Sequence, residues 1–108
     1  MYKLGDIILI PFPFTDLSNT KVRPALIISK NNQKSQNVII CFITSNLKQT
    51  QNAVKIENIP ETGLKTPSVI RLDKIATIDK KIILGELGKV NENFFTENKQ
   101  KFFNIFGF

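Results

Sequence analysis

The sequence predicts one small domain that is mainly β-structure and ends in a single helix. Its apolar residues fall mostly in short bursts separated by polar or turn-forming residues, which is typical of an all-β domain. With 108 residues the chain is long enough to bury one core but hardly two. No internal repeat, low-complexity tract or long linker divides the sequence, so residues 1–108 are expected to form one domain.

The first half of the chain contains three predicted strands joined by polar segments. These strands are residues 6–12, 24–30 and 37–44. The first strand should stop at Pro11 and Pro13, because proline cannot donate to a central ladder. Residues 13–22 and 45–52 are expected to be exposed loops and residues 31–36 a polar turn, since their side chains can bond the local backbone.

The second half is expected to complete the sheet. Weak alternation at 53–57 predicts an edge strand. A stretch with two prolines and a glycine then breaks regular structure, and strand character resumes at 68–72 and either continues or bends as far as Asp79. Gly85 and Gly88 are expected to close the β portion of the chain.

The last residues change to a helical pattern. Asn91 is the predicted N-cap, and Glu92 suits the positive end of the helix dipole. Phe95, Phe102 and Phe106 then recur at helical spacing. One helix is therefore expected to end the chain.

Charge and composition narrow the classes of function. Fifteen basic residues against nine acidic ones give a formal net charge of +6, which favours capture of a polyanion. The sequence has no apolar run of about eighteen residues and no signal-peptide core at its start, so the expected location is the cytoplasm, away from membranes.

Residue types also exclude several kinds of catalysis. The chain has no histidine, which excludes Cys-His and Ser-His mechanisms, and a zinc site is not expected from one thiol and scattered carboxylates. The single cysteine, Cys41, stands inside the apolar run at 38–43, where it is expected to be a small buried core residue. No cofactor is predicted.

Two stretches almost half the chain apart each place an arginine beside a predicted strand. They are residues 20–29, with Arg23, and residues 68–79, with Arg71. A guanidinium held at a strand end by a rigid scaffold suits a phosphate better than a flexible lysine does, which indicates RNA or DNA as the ligand. The alternative is that both arginines are surface strand ends paired with carboxylates.

Four stretches of the chain resemble the MazF/PemK family of toxins. They occur in the family's order and, with the closing helix, extend over essentially the whole chain: residues 5–12, 23–29, 43–46 and 68–80. The resemblance implies a small SH3-like β-barrel that works as a homodimer. It also implies a metal-independent endoribonuclease that cuts single-stranded RNA and is inhibited by an acidic antitoxin protein.

The resemblance assigns four catalytic positions. They are Arg23 before its proline, Thr44 at the end of a strand, and Arg71 with Asp73 in an Arg-x-Asp motif.

Metal-free cleavage needs a proton acceptor and a clamp for an anionic phosphorane. Arginine is a poor base but a good clamp, so Arg23 is expected to stabilise the transition state. Asp73 could accept the proton, with Arg71 orienting it or acting at the leaving oxygen. Thr44 would hold a phosphate oxygen, or else only satisfy the local backbone.

The predicted RNA-binding residues lie around the two long loops. Single-stranded RNA is usually held by stacking on aromatic rings and by donors at base edges. A histidine that some family members carry in the first loop is absent here. The residues expected to contact RNA are Phe12, Phe14, Asp16, Ser18, Lys21, Ser45 and Asn46.

Two other functions remain open from the sequence. The same barrel occurs in CcdB-like toxins, which poison DNA gyrase without being enzymes, and the phenylalanine-rich ending at 102–108 fits such a protein. The four catalytic positions would not be needed there as a set. A degenerate member that binds only RNA or an antitoxin is the third possibility.

Overall fold

A computed structural model describes residues 2–12, 21–30, 34–48 and 51–107. Within these residues it contains six strands, a short 3-10 helix and one α-helix. The strands are β1 Asp6–Phe12, β2 Lys21–Ile27, β3 Asn37–Thr44, β4 Ala53–Ile56, β5 Ser68–Asp79 and β6 Gly85–Lys89. The 3-10 helix is Lys80–Ile82 and the α-helix, α1, is Phe94–Phe106.

The six strands form one antiparallel sheet in the order β4-β5-β3-β2-β1-β6. The sheet curls, so that the segment after β4 at one edge reaches β6 at the other edge. There the amide of Lys89 donates to the carbonyl of Glu61 at 2.8 Å. Curling brings the two edge strands towards each other and makes a partly open barrel. The predicted mainly β fold with a C-terminal helix is therefore confirmed.

Two glycines allow this close approach. A Cβ on Gly88 would overlap the backbone of Glu61 and Thr62, and a Cβ on Gly63 would overlap the carbonyl of Leu87. Gly85 and Gly88 lie where the β portion ends, as expected, but both are part of its last strand, β6. A glycine in a strand often marks a place where another stretch of backbone comes very near. Such a contact can be recognised only when the tertiary structure is known.

Strand β5 bends in its middle, which the sequence left open. Cys41 of β3 pairs with Ile75, but the next residue, Phe42, pairs with Arg71, so three residues of β5 are extra at this point. The amide of the first extra residue, Leu72, donates to the carbonyl of Asn52 at 2.8 Å. The bend gives β5 two halves with different neighbours, and its first half also pairs with β4.

Strand β2 begins at Lys21 and ends at Ile27, whereas the sequence predicted 24–30. The predicted loop at 13–22 is correspondingly shorter at its end, and residues 13–20 lie outside the described part. Pro24 was expected to start the strand, but residues 21–24 pair with β1, and the β2–β3 ladder begins only at Ala25. A proline is tolerated at this position because no bond of that ladder depends on its missing amide hydrogen.

Buried side chains form two clusters, one on each face of the sheet, where a single core was expected. Ile7 and Ile8 are adjacent and both fully buried, yet they belong to different clusters. One cluster packs against α1 through Phe94, Phe95 and Phe102. The other cluster is covered by the second half of β5 and by residues around the 3-10 helix. A one-layer sheet that curls within a single domain can bury both faces in this way.

Helix α1 starts two residues later than predicted. Its N-cap is Asn93, which makes no side-chain capping bond, while the side chain of Asn91 accepts a hydrogen bond from the amide of Asn93 at 2.8 Å. Asn91 therefore shapes the turn before the helix. Phe95 and Phe102 pack on the core, whereas Phe106 is 51% exposed. Among the described residues, α1 and the 3-10 helix are both too short and polar to cross a membrane.

Candidate active site

The only two arginines of the chain line the same cavity. This cavity, here called the arginine groove, has a volume of about 230 Å³ and lies at the open end of the β2–β3 ladder. Its lining residues are Phe12, Arg23, Phe42, Ile43, Thr44, Arg71 and Lys74. Three of the four predicted catalytic residues are therefore brought together, although almost half the chain separates the two arginines.

The strand register explains why these side chains meet. Phe42 of β3 pairs with Ala25 on one side and with Arg71 on the other. Because side chains two residues apart share a face of the sheet, Arg23 lies on the face of Ala25, and Thr44 on the face of Phe42. Three neighbouring strands thus present Arg23, Thr44 and Arg71 on one face of the sheet.

The fourth predicted residue, Asp73, stands behind the groove and holds Arg71. The Nε of Arg71 donates to Oδ1 of Asp73 and Nη2 donates to Oδ2, both at 3.1 Å. The two-pronged contact fixes the plane of the guanidinium. Hydrogen bonding from Arg71 is the main reason that the pKa of Asp73 lies below its usual value, and the side chain of Asn52 contributes in the same direction.

Thr44 makes a contact with the local backbone, which is one of the two roles that the sequence left open for it. Its Oγ1 accepts a hydrogen bond from the amide of Asn46 at 3.1 Å, and Oδ1 of Asn46 in turn accepts one from the amide of Lys48 at 3.1 Å. These two contacts fix the turn that follows β3. A hydroxyl that accepts one bond retains its own proton as a donor, and the hydroxyl of Thr44 belongs to a residue that lines the groove.

An aromatic pair forms one wall of the arginine groove. The rings of Phe12 and Phe42 pack edge to face with their centroids 5.2 Å apart. Phe12 is 41% exposed, so part of its ring is accessible to a ligand in the groove. The pair offers a rigid apolar surface next to the two guanidinium groups.

A family profile of PemK-like, MazF-like toxins of type II toxin-antitoxin systems matches residues 3–106. The chain belongs to this family. A curated relative, "Probable endoribonuclease MazF" of Mycolicibacterium smegmatis, is 30% identical over 74 residues, which cover 67% of this chain and 68% of that protein. The predicted membership in the MazF/PemK family is confirmed.

Solved structures of MazF proteins have the same fold. The MazE–MazF structure from Deinococcus radiodurans (Form-II) superposes with a TM-score of 0.79 at 20% identity, covering 98% of this chain and 96% of that one. The Mycobacterium tuberculosis toxin MazF-mt6 gives a TM-score of 0.78 at 21% identity, covering 94% and 96%. At these identities the likeness shows the fold alone.

The remaining predicted RNA-binding residues of this PemK/MazF toxin lie at different positions relative to the arginine groove. Lys21 is exposed and pairs with Phe12 at the edge of the groove. Ser45 lines a second cavity that adjoins Arg23, and Asn46 is exposed beside it. The three predictions in the first loop, Phe14, Asp16 and Ser18, lie outside the described residues.

Two residues of the groove, Phe42 and Lys74, were not among the predicted site residues. Phe42 is two positions before Thr44, so the alternation of β3 would have placed both on one face. Lys74 follows Asp73 directly and adds a third positive charge to the lining. No carboxylate is among the described residues that line this cavity, so an anion would meet only positive and neutral side chains there.

Two other features bear on the chemistry that this toxin could perform. Cys41 is fully buried as predicted, and burial, together with the charge of Asp73, raises the pKa of its thiol to about 12. The thiol is therefore not a nucleophile at neutral pH. Within residues 2–12, 21–30, 34–48 and 51–107, no three His, Cys, Asp or Glu side chains are grouped so as to hold a metal ion.

Proposed function

We propose that this toxin is an endoribonuclease that cleaves single-stranded mRNA without a metal ion. The products would be a 2′,3′-cyclic phosphate and a 5′-hydroxyl. The observation that carries the proposal is the meeting of both arginines of the chain in one cavity whose described lining bears no carboxylate. Because the substrate would be mRNA, we place the activity in the cytoplasm.

Membership in a toxin family supports this choice over the gyrase-poison alternative. The matching profile describes toxins of type II toxin-antitoxin systems, and the curated relative bears the name of an endoribonuclease. A protein that only binds gyrase would not need two guanidinium groups facing one cavity. A degenerate member that binds RNA without cleaving it is the remaining alternative, and a cleavage assay with purified protein distinguishes the two.

The reaction that this site would perform needs no external nucleophile. The 2′-hydroxyl of the RNA attacks the adjacent phosphorus and loses its proton. A phosphorane with additional negative charge forms, and the bond from phosphorus to the 5′-oxygen then breaks. The departing 5′-oxygen takes up a proton, so that one proton is lost and one gained overall. The protein has to stabilise the phosphorane and hold the three reacting atoms in line.

Arg23 and Arg71 are suited to stabilise that phosphorane. Each guanidinium carries a positive charge and presents several donors in a fixed plane. The two groups project from different strands of a rigid sheet, so they do not need to reorganise when charge develops on the phosphate oxygens. Thr44 would donate its hydroxyl proton to a further phosphate oxygen, and Lys74 would add positive charge.

We propose that Asp73 positions Arg71. Both carboxylate oxygens are engaged by that guanidinium, and the lowered pKa makes Asp73 a weaker proton acceptor. Solvent or a phosphate oxygen of the RNA would then take the proton of the 2′-hydroxyl. Proton abstraction by Asp73 itself, the other role that the sequence suggests, predicts a different pH dependence.

Binding of the RNA bases would involve the aromatic wall and the neighbouring loops. Phe12 is exposed enough for a base to stack on it, and Phe42 supports its ring from the side. Lys21 would contact a flanking phosphate, while Ser45 and Asn46 would donate to or accept from base edges. Contacts by Phe14, Asp16 and Ser18 stay predictions from the sequence.

Purified toxin, free of any antitoxin, is expected to cleave single-stranded RNA in excess EDTA. The reason is that the 2′-hydroxyl attack requires only charged side chains to stabilise the phosphorane. Product ends can be identified by their 2′,3′-cyclic phosphate. The matched control is the same oligonucleotide with a single 2′-deoxy nucleotide at the scissile position, which should not be cut there.

Three results would speak against this proposal in different ways. Dependence of cleavage on added magnesium or manganese would contradict the metal-independent mechanism. Cleavage of the 2′-deoxy control would exclude the 2′-hydroxyl as nucleophile. Tight binding of RNA without any cleavage would favour the degenerate member, and inhibition of gyrase by a protein that leaves RNA intact would favour the CcdB-like function.

We propose that the toxin works as a homodimer. Helix α1 leaves Phe103 and Phe106 exposed, at 42% and 51%, and residues three apart on a helix are neighbours, so the two rings belong to one apolar patch of the kind that marks interfaces. A second copy would bury some of this surface. Light scattering at micromolar concentration should give about twice the monomer mass of 12.3 kDa. A mass of one chain under these conditions would contradict the dimer.

We also propose an acidic antitoxin as the natural inhibitor. The solved relatives include an endoribonuclease in complex with its cognate antitoxin from a mycobacterial species and a MazE–MazF structure from Deinococcus radiodurans. A groove that carries three positive charges is complementary to an acidic peptide that folds on contact. The antitoxin should compete with uncleavable RNA in a fluorescence anisotropy titration, and binding of both at once would contradict a shared site.

A further inference from the structure

A second cavity adjoins the arginine groove on the opposite face of the sheet. It has a volume of about 350 Å³ and shares Arg23 and Ile43 with the groove. The cavity is here called the barrel-mouth pocket. Its lining residues are Leu9, Val22, Arg23, Pro24, Ile43, Ser45, Gly63, Leu64, Lys65, Thr66, Ser68 and Leu87.

The barrel-mouth pocket has an apolar floor and a polar rim. Ile43 and Leu64 belong to the core cluster that packs against α1, and they are only 3% and 9% exposed. The floor of the pocket is thus the uncovered end of that core. Lys65 and Thr66 are exposed at the rim, where their side chains can contact a ligand without rearrangement of the core.

The wall of the pocket formed by residues 63–66 is held in place by its neighbours. The hydroxyl of Thr62, which is 5% exposed, donates to the carbonyl of Glu57 at 2.7 Å and lies 3.0 Å from that of Ile59. Gly63 packs directly against the backbone of Leu87 on the opposite wall. The pocket is therefore preformed, as small-ligand sites usually are.

We propose that the barrel-mouth pocket takes one unstacked nucleobase of the RNA. The base would belong to a nucleotide next to the phosphate that Arg23 holds, because Arg23 lines both cavities. This inference rests on the proposed function.

The pocket's chemistry fits a base better than it fits a phosphate. A base presents two apolar faces and a polar edge, which match an apolar floor with hydroxyl and amine groups at its rim. Lys65 and Arg23 are the charged groups among the described lining residues, and Arg23 also lines the arginine groove.

A coupling experiment between protein and substrate tests this placement. The substrate is an intact oligonucleotide that the toxin can cleave, and in each version one base is replaced by hydrogen. The protein variant is Thr66→Met, whose flexible side chain should fill part of the pocket. Removing the base next to the scissile phosphate on one side should cost the wild type about tenfold in kcat/KM. The same removal should cost Thr66→Met roughly twofold or less, because the pocket no longer holds that base.

Two further variants keep the result interpretable. Lys65→Met removes the amine from the neighbouring rim position at similar side-chain length and should reduce the same base-removal penalty. Thr96→Met makes the matched change at an exposed position of α1, away from both cavities, and should leave every penalty as in the wild type. An unchanged penalty at both nucleotides beside the scissile phosphate, in both pocket variants, would overturn the inference.

Failure of the proposed function would look different from failure of this inference. If the wild type cuts no RNA, the endonuclease proposal fails, and the same base replacements are then measured as changes in Kd on an oligonucleotide with a 2′-O-methyl group at the central position. A base-removal penalty in Kd that disappears in Thr66→Met would still place a base in the pocket. Equal penalties in wild type and variant would exclude it.

Discussion

The Arg23→Ala variant is expected to lose about two to three orders of magnitude in kcat, as loss of a preorganised transition-state donor typically does. Arg23 lines both cavities and comes from a strand that the sheet holds rigidly. Its removal leaves developing charge on the phosphorane without one of two guanidinium partners. Binding of uncleavable RNA should weaken much less, because the other basic residues still attract the backbone.

The replacement Arg23→Lys separates charge from geometry. One ammonium cannot reproduce two parallel donors on a phosphate, so the lysine variant should recover only a small part of the lost rate. Lys30→Ala serves as the control because Lys30 is exposed and does not line the groove, and its kcat should stay near the wild-type value. Near-complete rescue by lysine would mean that Arg23 acts only as a point charge.

The second large effect is expected for the pair of Arg71 and Asp73. Arg71→Ala should lower kcat about a hundredfold, and Asp73→Asn about tenfold, because an amide can accept only one of the two hydrogen bonds and presents a donor to the other. If Asp73 acts through Arg71, the double variant should be no slower than Arg71→Ala alone. This non-additivity is the result that identifies a positioning role.

The pH dependence gives an independent test of the same pair. The pKa of Asp73 lies below its usual value of 3.8, so the carboxylate remains ionised from about pH 5 to pH 8 and its charge does not change over this range. The pH–rate profile of Asp73→Asn should therefore have the wild-type shape between these limits. Loss of an acidic limb in the variant, together with additive effects in the double variant, would assign Asp73 as the general base.

The lowered pKa of Asp73 determines the pH range in which its ion pair with Arg71 stabilises the fold. A carboxylate whose pKa is lower in the folded protein stabilises the fold above its unfolded pKa. That contribution is lost only as the pH falls through the folded value. The side chain of Asp73 is 28% exposed, so solvent screening keeps the effect small. Acid should therefore affect the positioning of Arg71 before it measurably unfolds the protein through this pair.

Strands with clear apolar patterns could be predicted from the sequence. The ranges 6–12 and 37–44 match β1 and β3, because both are apolar runs bounded by turn-forming or proline residues. Strand β6 was missed, since Gly85 and Gly88 read as breakers when the backbone that packs against Gly88 is unknown. The start of β2 was misplaced for a related reason, because the strand continues only where β1 supplies a partner.

The candidate site was predictable in its residue types but not in its geometry. Arg23 and Arg71 were identified from their positions beside predicted strands, and Thr44 was identified only through the family resemblance. Phe42 and Lys74 were not identified, because which face of β3 and which side of the β5 bend open into a cavity depends on pairing between distant strands. The predicted contacts of Phe14, Asp16 and Ser18 lie outside the described residues.

The sequence by itself determined the mainly β fold, the closing helix, the net positive charge and the two arginines that a phosphate could meet. These properties are local, since short apolar runs, caps and charge depend on neighbouring residues in the chain. Only the tertiary structure decided that both arginines share one groove, that Asp73 holds Arg71 from behind, and that a second cavity opens beside Arg23. Strand register and the curl of the sheet set these relations, and both arise from pairing between residues far apart in sequence.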